Sequence, residues 1–99
     1  MFKVGISGDL LNSSDEPCFG IEPLNLLKDR RDIEISWMDK SITELDTEMT
    51  SKFDAILLNL PKANANCVSN SNCKLKIISR FGVGFDSVDI EAMKKKNII

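Results

Sequence analysis

The fold of this chain is decided by the stretch Lys76-Ile77-Ile78-Ser79-Arg80-Phe81-Gly82-Val83-Gly84-Phe85-Asp86-Ser87-Val88-Asp89. The β-branched pair Ile77 and Ile78 predicts a strand, and the two glycines after it predict a tight turn. Asp86 and Ser87 are residue types that favour a helix N-terminus, and a helical pattern follows over 88–96. Such a turn is a typical anion site, because glycines let backbone N–H groups approach a ligand and the helix dipole favours negative charge.

Working outward from this stretch, strand and helix patterns alternate along the chain. Strands are predicted at 2–6, 32–37, 53–58 and 74–79, and Ile98-Ile99 is typical of the start of a fifth. Helices are predicted from Gly20–Pro23, from the capping box Ser41-Ile42-Thr43-Glu44, weakly at 64–68, and over 88–96 with Asn97 as its C′ residue. This alternation predicts an α/β fold in which a parallel sheet of four to five strands carries helices on both faces.

The apolar patterns also predict where each strand lies in the sheet. Strand 32–37 alternates strictly, which is typical of an edge strand or one buried on a single face. The third and fourth strands have continuous apolar runs, so we expect the side chains of Ile56, Leu57, Ile77 and Ile78 to be buried at the centre of the sheet.

Composition limits the possible functions. The 99 residues suit one domain, and a net charge of −2 with a pI near 5.1 predicts neither a nucleic-acid nor a membrane partner. No apolar run approaches the ~20 residues of a membrane span, and no signal peptide is evident. With three cysteines, no Cys-x-x-Cys and no histidine, the sequence predicts no metal site and no Cys/His pair, and a cytoplasmic protein with reduced thiols.

A polar, turn-prone segment follows the first strand, from Ser7 to Pro17. A long loop in this position often borders a ligand site, and it is equally typical of a plain connection. Asp9, Asp15 and Glu16 are possible metal ligands there, although carboxylates exposed on a loop are the commoner interpretation. The sequence leaves both alternatives open.

The glycine turn departs from the dinucleotide-binding pattern, since Ser87 stands where Gly82-x-Gly84 would be followed by a third glycine. That glycine allows close packing of helix on strand, so its absence disfavours a pyrophosphate site. Binding of a small carboxylate by the backbone amides of Val83 and Gly84 fits the turn better. A purely structural role of both glycines in shaping the turn remains open.

Residues 75–92, in which an aliphatic strand, Gly-Val-Gly-x-Asp and a helix occur together, resemble the D-isomer-specific 2-hydroxyacid dehydrogenases, which include the phosphoglycerate dehydrogenases. The resemblance is close from Leu75 to Ile99 and looser before it. It implies a flavodoxin-like fold, with residues 1–99 as the N-terminal segment of the substrate-binding domain and a Rossmann domain for NAD after residue 99.

The same resemblance implies an oxidoreductase that transfers a hydride between NAD(H) and a 2-oxo or D-2-hydroxy acid. Val83 and Gly84 match the positions whose backbone amides hold the substrate carboxylate, and we assign Asp86 to capping the following helix. The family's catalytic arginine, acid and histidine lie beyond these residues, so this segment is expected to hold no catalytic, cofactor-binding or metal-binding residue and to be inactive alone. We expect a homodimer for the whole enzyme.

One departure concerns the substrate. Many relatives have Arg-Ser after the third strand, whereas this chain has Asn59-Leu60-Pro61, which disfavours a phosphorylated substrate. The alternative function is a non-enzymatic flavodoxin-like signalling or ligand-binding module. A phospho-receiver needs an aspartate where Asn59 stands, and a flavin mononucleotide module needs a hydroxyl- and glycine-rich loop where Ser7-Gly8-Asp9 stands.

Overall fold

Strands and helices alternate through the computed structural model, which describes residues 2–14, 16–18, 20, 22–69, 71–80 and 88–99. Within these ranges the strands are β1 (Phe2–Ile6), β2 (Ile33–Trp37), β3 (Ala55–Leu58) and β4 (Ile77–Arg80). The α-helices are α1 (Glu22–Lys28), α2 (Thr47–Lys52) and α3 (Ile90–Lys95), and short 3₁₀ helices span Gly8–Leu10 and Ala65–Val68. No helix in these ranges is long and apolar enough to cross a membrane.

The strands form one parallel sheet in the order β2-β1-β3-β4. This is the flavodoxin-like order, in which the direction of strand addition reverses between β1 and β3. The predicted α/β fold is therefore confirmed. β2 lies at an edge of the sheet as its alternation predicted, with Ile35 and Trp37 packed toward the core and Glu34 exposed.

Helices cover both faces of the sheet, as predicted. On one face Leu24 of α1 packs with Val4 and Ile6 of β1. On the other, α2, α3 and the 3₁₀ helix at 65–68 surround the alternate side chains of β3. The buried members of that larger cluster are Met38, Leu45, Phe53, Ile56, Leu58, Ala63, Cys67, Val68, Leu75, Met93 and Ile98.

The prediction that β4 lies at the buried centre of the sheet is wrong. Ile56 is buried, but Leu57 and Ile78 are only half-buried, and Ile77 is 37% exposed on an edge strand. Ile77 is in register with Ala55 and so lies on the face of α1. α1 packs against β2, and its seven residues are only about 10 Å long, so no helix among the described residues covers the β4 side of that face.

Ile99 lies along the outer edge of β4. Its N–H donates to the carbonyl of Lys76 at 3.0 Å, and its carbonyl accepts from the N–H of Ile78 at 2.9 Å. These two bonds are the ladder of a parallel pair centred on Ile77. Ile99 thus pairs as the fifth strand predicted at Ile98-Ile99 would.

The predicted capping box at Ser41-Ile42-Thr43-Glu44 does not start a helix. Asp39 accepts hydrogen bonds from both the N–H and the hydroxyl of Ser41, which closes a separate turn before the helix. α2 starts at Thr47 instead, and its N-cap Asp46 accepts from the N–H of Met49 at 2.9 Å. Because Asp39 binds Ser41 and Asp46 caps the helix, α2 starts at Thr47 and not at the predicted capping box.

α3 starts later than predicted, and its N-cap is Asp89, which accepts from the N–H of Ala92 at 3.0 Å. The assignment of this cap to Asp86 is therefore wrong; Asp86 itself lies outside the described residues. At the other end Asn97 has φ of 59°, and the N–H groups of Asn97 and Ile98 donate to the carbonyls of Lys94 and Met93. This Schellman motif confirms Asn97 as the C′ residue.

The cysteines provide a test of this packing. Cys67 is 1% exposed, and burial, followed by the charges of Cys73, Glu44 and Asp46, raises the pKa of its thiol to about 11. Cys18 is exposed. Because the thiolate is the reactive form, we expect iodoacetamide at about pH 8 to label Cys18 in the folded protein and to leave Cys67 unmodified. Peptide mass spectrometry after timed labelling measures this, and equal rates at both thiols would contradict the core described above.

Candidate functional site

The candidate site lies on the side of the sheet where the strands end. We call this side the carboxyl edge, and its described residues are 7–10, 38–40 and 59–63. In open α/β sheets the ligand crevice lies at this edge, where the strand order reverses. Here that point falls between the ends of β1 and β3, and the loops that follow these two strands meet there.

Asp9 joins the two loops across this point. Its Oδ2 accepts from the Asn59 Nδ2 at 2.7 Å and from the Leu60 N–H at 3.1 Å, and its Oδ1 accepts from the Ser7 hydroxyl. Partial burial raises the pKa of Asp9, but the hydrogen bonds from Ser7, Leu60 and Asn59 outweigh burial and hold the pKa below its ordinary value. Asp9 is therefore a fixed negative charge at the carboxyl edge at neutral pH.

Gly8 positions Asp9. Ser7 is buried and donates its N–H to the carbonyl of Leu57 at 2.9 Å, and Gly8 then approaches the backbone of residues 38–40. A Cβ on Gly8 would lie 2.3 Å from the Met38 carbonyl oxygen and 2.8 Å from the Lys40 nitrogen. Only glycine allows this approach, which fixes the start of the Gly8–Leu10 turn against the loop after β2.

The predicted substrate-binding residues Val83 and Gly84 lie outside the described residues, as does all of 81–87. The residues on either side of this segment are placed. Arg80 is in register with Leu58, and Val88 forms a parallel bridge with Ala63, where the Asp89 N–H donates to the Ala63 carbonyl at 2.9 Å. Arg80 and Val88, which flank residues 81–87, therefore pair with Leu58 and Ala63, which flank the loop 59–62 at the carboxyl edge.

The loop 59–62 is held at both ends. Asp9 binds its start, and at its end the Lys62 N–H donates to the Thr43 carbonyl at 3.0 Å while the Lys62 carbonyl accepts from the Leu45 N–H at 2.8 Å. Between these ties the side chain of Leu60 is 72% exposed. The loop thus presents an apolar side chain on a fixed backbone.

A separate cavity of about 370 Å³ lies between β4 and α3. Apolar side chains form most of its wall, so it is poorly suited to a carboxylate. Its lining residues are Ile78, Arg80, Val88, Ile90, Met93, Lys94, Ile98 and Ile99. The described residues contain no group of three or more metal-ligating side chains.

Sequence reasoning treated Asp9 as one of several loop carboxylates, and the structure separates it from them. Glu16 is exposed, and Asp15 lies outside the described residues. Of the two carboxylates that the structure describes, Asp9 contacts the loop after β3. The sequence feature that could have singled out Asp9 is its position two residues after Ser7, just past the end of β1. Asn59 follows the end of β3 in the corresponding place.

The described turn after β1 does not fit the pyrophosphate of a dinucleotide. The space beside Gly8, where a pyrophosphate would approach the turn after β1, is filled by the Met38 carbonyl, and the Asp9 carboxylate would repel phosphate.

Fold and site together define a flavodoxin-like α/β domain in which the loops after β1 and β3 meet at the carboxyl edge of the sheet. The sequence profile of the D-isomer specific 2-hydroxyacid dehydrogenase catalytic domain matches residues 19–99, and the chain belongs to that family. No curated protein sequence matches the chain.

The solved structures that are similar to this chain include the following two. The PH0520 protein from Pyrococcus horikoshii OT3 is 27% identical with a TM-score of 0.64, over 99% of this chain and 26% of that one. The apo form of D-lactate dehydrogenase from Escherichia coli is 18% identical with a TM-score of 0.64, over 98% of this chain and 29% of that one, and shows the shared fold. The chain thus spans about a quarter of the length of these proteins.

Proposed function

We propose that this chain is the N-terminal segment of the substrate-binding domain of an NAD-dependent D-2-hydroxyacid dehydrogenase. The enzyme transfers a hydride between NAD(H) and a 2-oxo or D-2-hydroxy acid. The observation that carries this proposal is the family match over 19–99, which includes the glycine turn. The pairings of Arg80 with Leu58 and of Val88 with Ala63, which bring the two ends of that turn to the carboxyl edge, support it.

Within this function, Val83 and Gly84 hold the substrate carboxylate with their backbone N–H groups. Backbone amides on a turn between strand and helix bind an anion without the cost of ordering a long side chain. Their contribution is chiefly positioning of the 2-oxo acid, which converts a loosely held substrate into one aligned for reaction. Asp86, which is not the N-cap of α3, receives no role.

The remaining parts of the enzyme are assigned to residues beyond this chain. The sequence contains no histidine, so the proton donor is supplied elsewhere, as is the cation that polarises the substrate carbonyl. NAD binds to a Rossmann domain that follows residue 99. The whole enzyme is a cytoplasmic homodimer.

The test is an assay of the whole enzyme that contains this chain, with NADH, a series of short 2-oxo acids and chiral analysis of the product. We expect NADH oxidation that depends on the 2-oxo acid and a D-configured product. NADPH in place of NADH serves as the comparison for the cofactor. An L-configured product, or no reaction with any 2-oxo acid and either cofactor, would contradict the proposed function.

A further inference from the structure

The outer edge of β2 is open in the part of the chain that the structure describes. β2 ends the strand order, and no described strand or bridge pairs with its outer side. Exposed strand edges are templates for pairing with another chain, and proteins commonly block them with proline, lysine or a bulge. β2 contains neither proline nor lysine, and its register with β1 is continuous from Ile33 to Trp37. This edge can therefore accept a further strand.

The backbone groups at this edge alternate along β2. The Met38 N–H donates to the Ile6 carbonyl at 2.8 Å, and Ile6 is in register with Trp37. In a parallel pair every second residue of a strand bonds to its neighbour, so the residues between them turn their N–H and carbonyl groups outward. In β2 these residues are Ile33, Ile35 and Trp37. The Ile33 N–H also forms a long bond of 3.4 Å within the preceding turn.

The side chains of these three residues are half-buried, on the face of the sheet that α1 covers. A second copy of β2, running antiparallel about a two-fold axis at Ile35, would cover more of their surface. Ile35 then lies opposite Ile35 of the second copy, with which it exchanges both backbone hydrogen bonds, and Ile33 lies opposite Trp37. Aromatic and β-branched pairs of this kind stabilise a sheet.

The charges that flank β2 are complementary in this arrangement. With the axis at Ile35, Arg31 of each copy lies opposite Asp39 of the other, and both residues are exposed. Arg30, which the same register brings toward the second copy, forms an ion pair with Asp32 of its own chain at 3.0 Å. Opposite charges across an interface fix its register.

Other registers are less favourable. With the axis at Ile35, Glu34 lies opposite the hydroxyl of Ser36. Moving the axis to Ile33 would place Glu34 opposite Asp32, and like charges directly opposite each other destabilise a sheet. The sequence of β2 and its flanks therefore favours one self-pairing.

We infer that β2 is an interaction surface for a second copy of this chain, whose own β2 pairs with it antiparallel about a two-fold axis at Ile35. The two parallel sheets then become one continuous sheet, and the same surface serves both copies. The inference does not depend on the proposed reaction, because it concerns association and not catalysis.

The experiment uses charge reversal in the whole enzyme that contains this chain. Arg31→Glu places a carboxylate opposite Asp39 at both ends of the pairing, and Asp39→Lys places an ammonium group opposite Arg31. For each variant alone we expect the dissociation constant of this association, measured by sedimentation velocity, to rise about tenfold. A 1:1 mixture of the two variants should restore the native association, because every new charge then meets an opposite one.

Lys76→Glu is the matched control. It makes the same change of charge at an exposed residue just before β4, on the other side of the sheet, and should leave the association unchanged. An effect as large as that of Arg31→Glu, or a mixture that associates no better than either variant alone, would overturn the inference.

Hydrogen exchange tests the native enzyme even where a variant does not fold. The N–H groups of Ile35 and Trp37 should exchange slowly when the enzyme is concentrated and faster on dilution below the dissociation constant. Exchange at these two residues that is fast at every concentration would contradict the pairing. If no 2-oxo acid is reduced but the mixture restores association, the proposed function fails and this inference stands.

Discussion

Replacing Gly84 by valine is expected to lower kcat/KM for a 2-oxo acid by roughly ten- to a hundredfold. On our proposal the backbone N–H of Gly84 donates to the substrate carboxylate, and a branched side chain at this position would prevent the close approach. Loss of one charge-assisted hydrogen bond is worth about 1.5–3 kcal/mol, which corresponds to that range. Steady-state kinetics with varied 2-oxo acid measures the change, and KM for the acid should rise.

The control separates this effect from a general loss of stability. Gly20→Ala replaces a glycine two residues before α1, where φ is +84° and no atom of a described residue lies within 4 Å of the new Cβ. It should cost some stability but leave kcat/KM unchanged. NADH affinity should barely change in Gly84→Val. A variant that loses NADH binding while its dependence on the 2-oxo acid is intact would make the glycine turn a cofactor site.

Replacing Gly8 by alanine is expected to lower the free energy of unfolding by about 2–3 kcal/mol. The added Cβ would meet the backbone atoms of Met38, Asp39 and Lys40 at 2.3 to 2.8 Å, and backbone cannot move aside as a flexible side chain can. The clash should push the loop after β1 away from the loop after β2. Because Gly8 positions Asp9, this shift should also weaken the hydrogen bond between Asp9 and Asn59. Urea unfolding followed by the fluorescence of Trp37 measures the change.

The same Gly20→Ala variant serves as the comparison, because its new Cβ contacts none of the described residues and its cost is expected to come from backbone strain. We expect Gly8→Ala to be the more destabilised of the two. A Gly8→Ala protein within about 0.5 kcal/mol of the native protein would show that the loops after β1 and β2 do not pack as described.

Local patterns predicted most of the secondary structure correctly. The alternation of β2 marked an edge strand, and Asn97 was recognised as a C′ residue from its type and position. Such features depend on residues within a few positions of each other, so they can be read along the chain. The capping box predicted at Ser41 was wrong because of another local contact, since Asp39 binds the hydroxyl and the N–H of Ser41.

Features that depend on distant residues were not predictable in this way. The exposure of Ile77 depends on how far α1 reaches across the sheet, which no pattern within β4 records. The contact of Asp9 with Asn59 joins residues 50 positions apart and exists only because β1 and β3 are neighbours. The sequence could predict that the candidate site lies at the carboxyl ends of the strands. It could not predict that the Asp9 side chain joins the loops after β1 and β3.

The central claim is that the N–H groups of Val83 and Gly84 bind the substrate carboxylate. A crystal structure of the native protein with oxamate, an unreactive analogue of a 2-oxo acid, tests it most directly. We predict carboxylate oxygens about 2.7–3.2 Å from the backbone nitrogens of Val83 and Gly84, at the carboxyl edge beside Asn59 and Leu60. A structure in which the oxamate carboxylate binds elsewhere, or in which a nucleotide phosphate occupies the glycine turn, would contradict the claim.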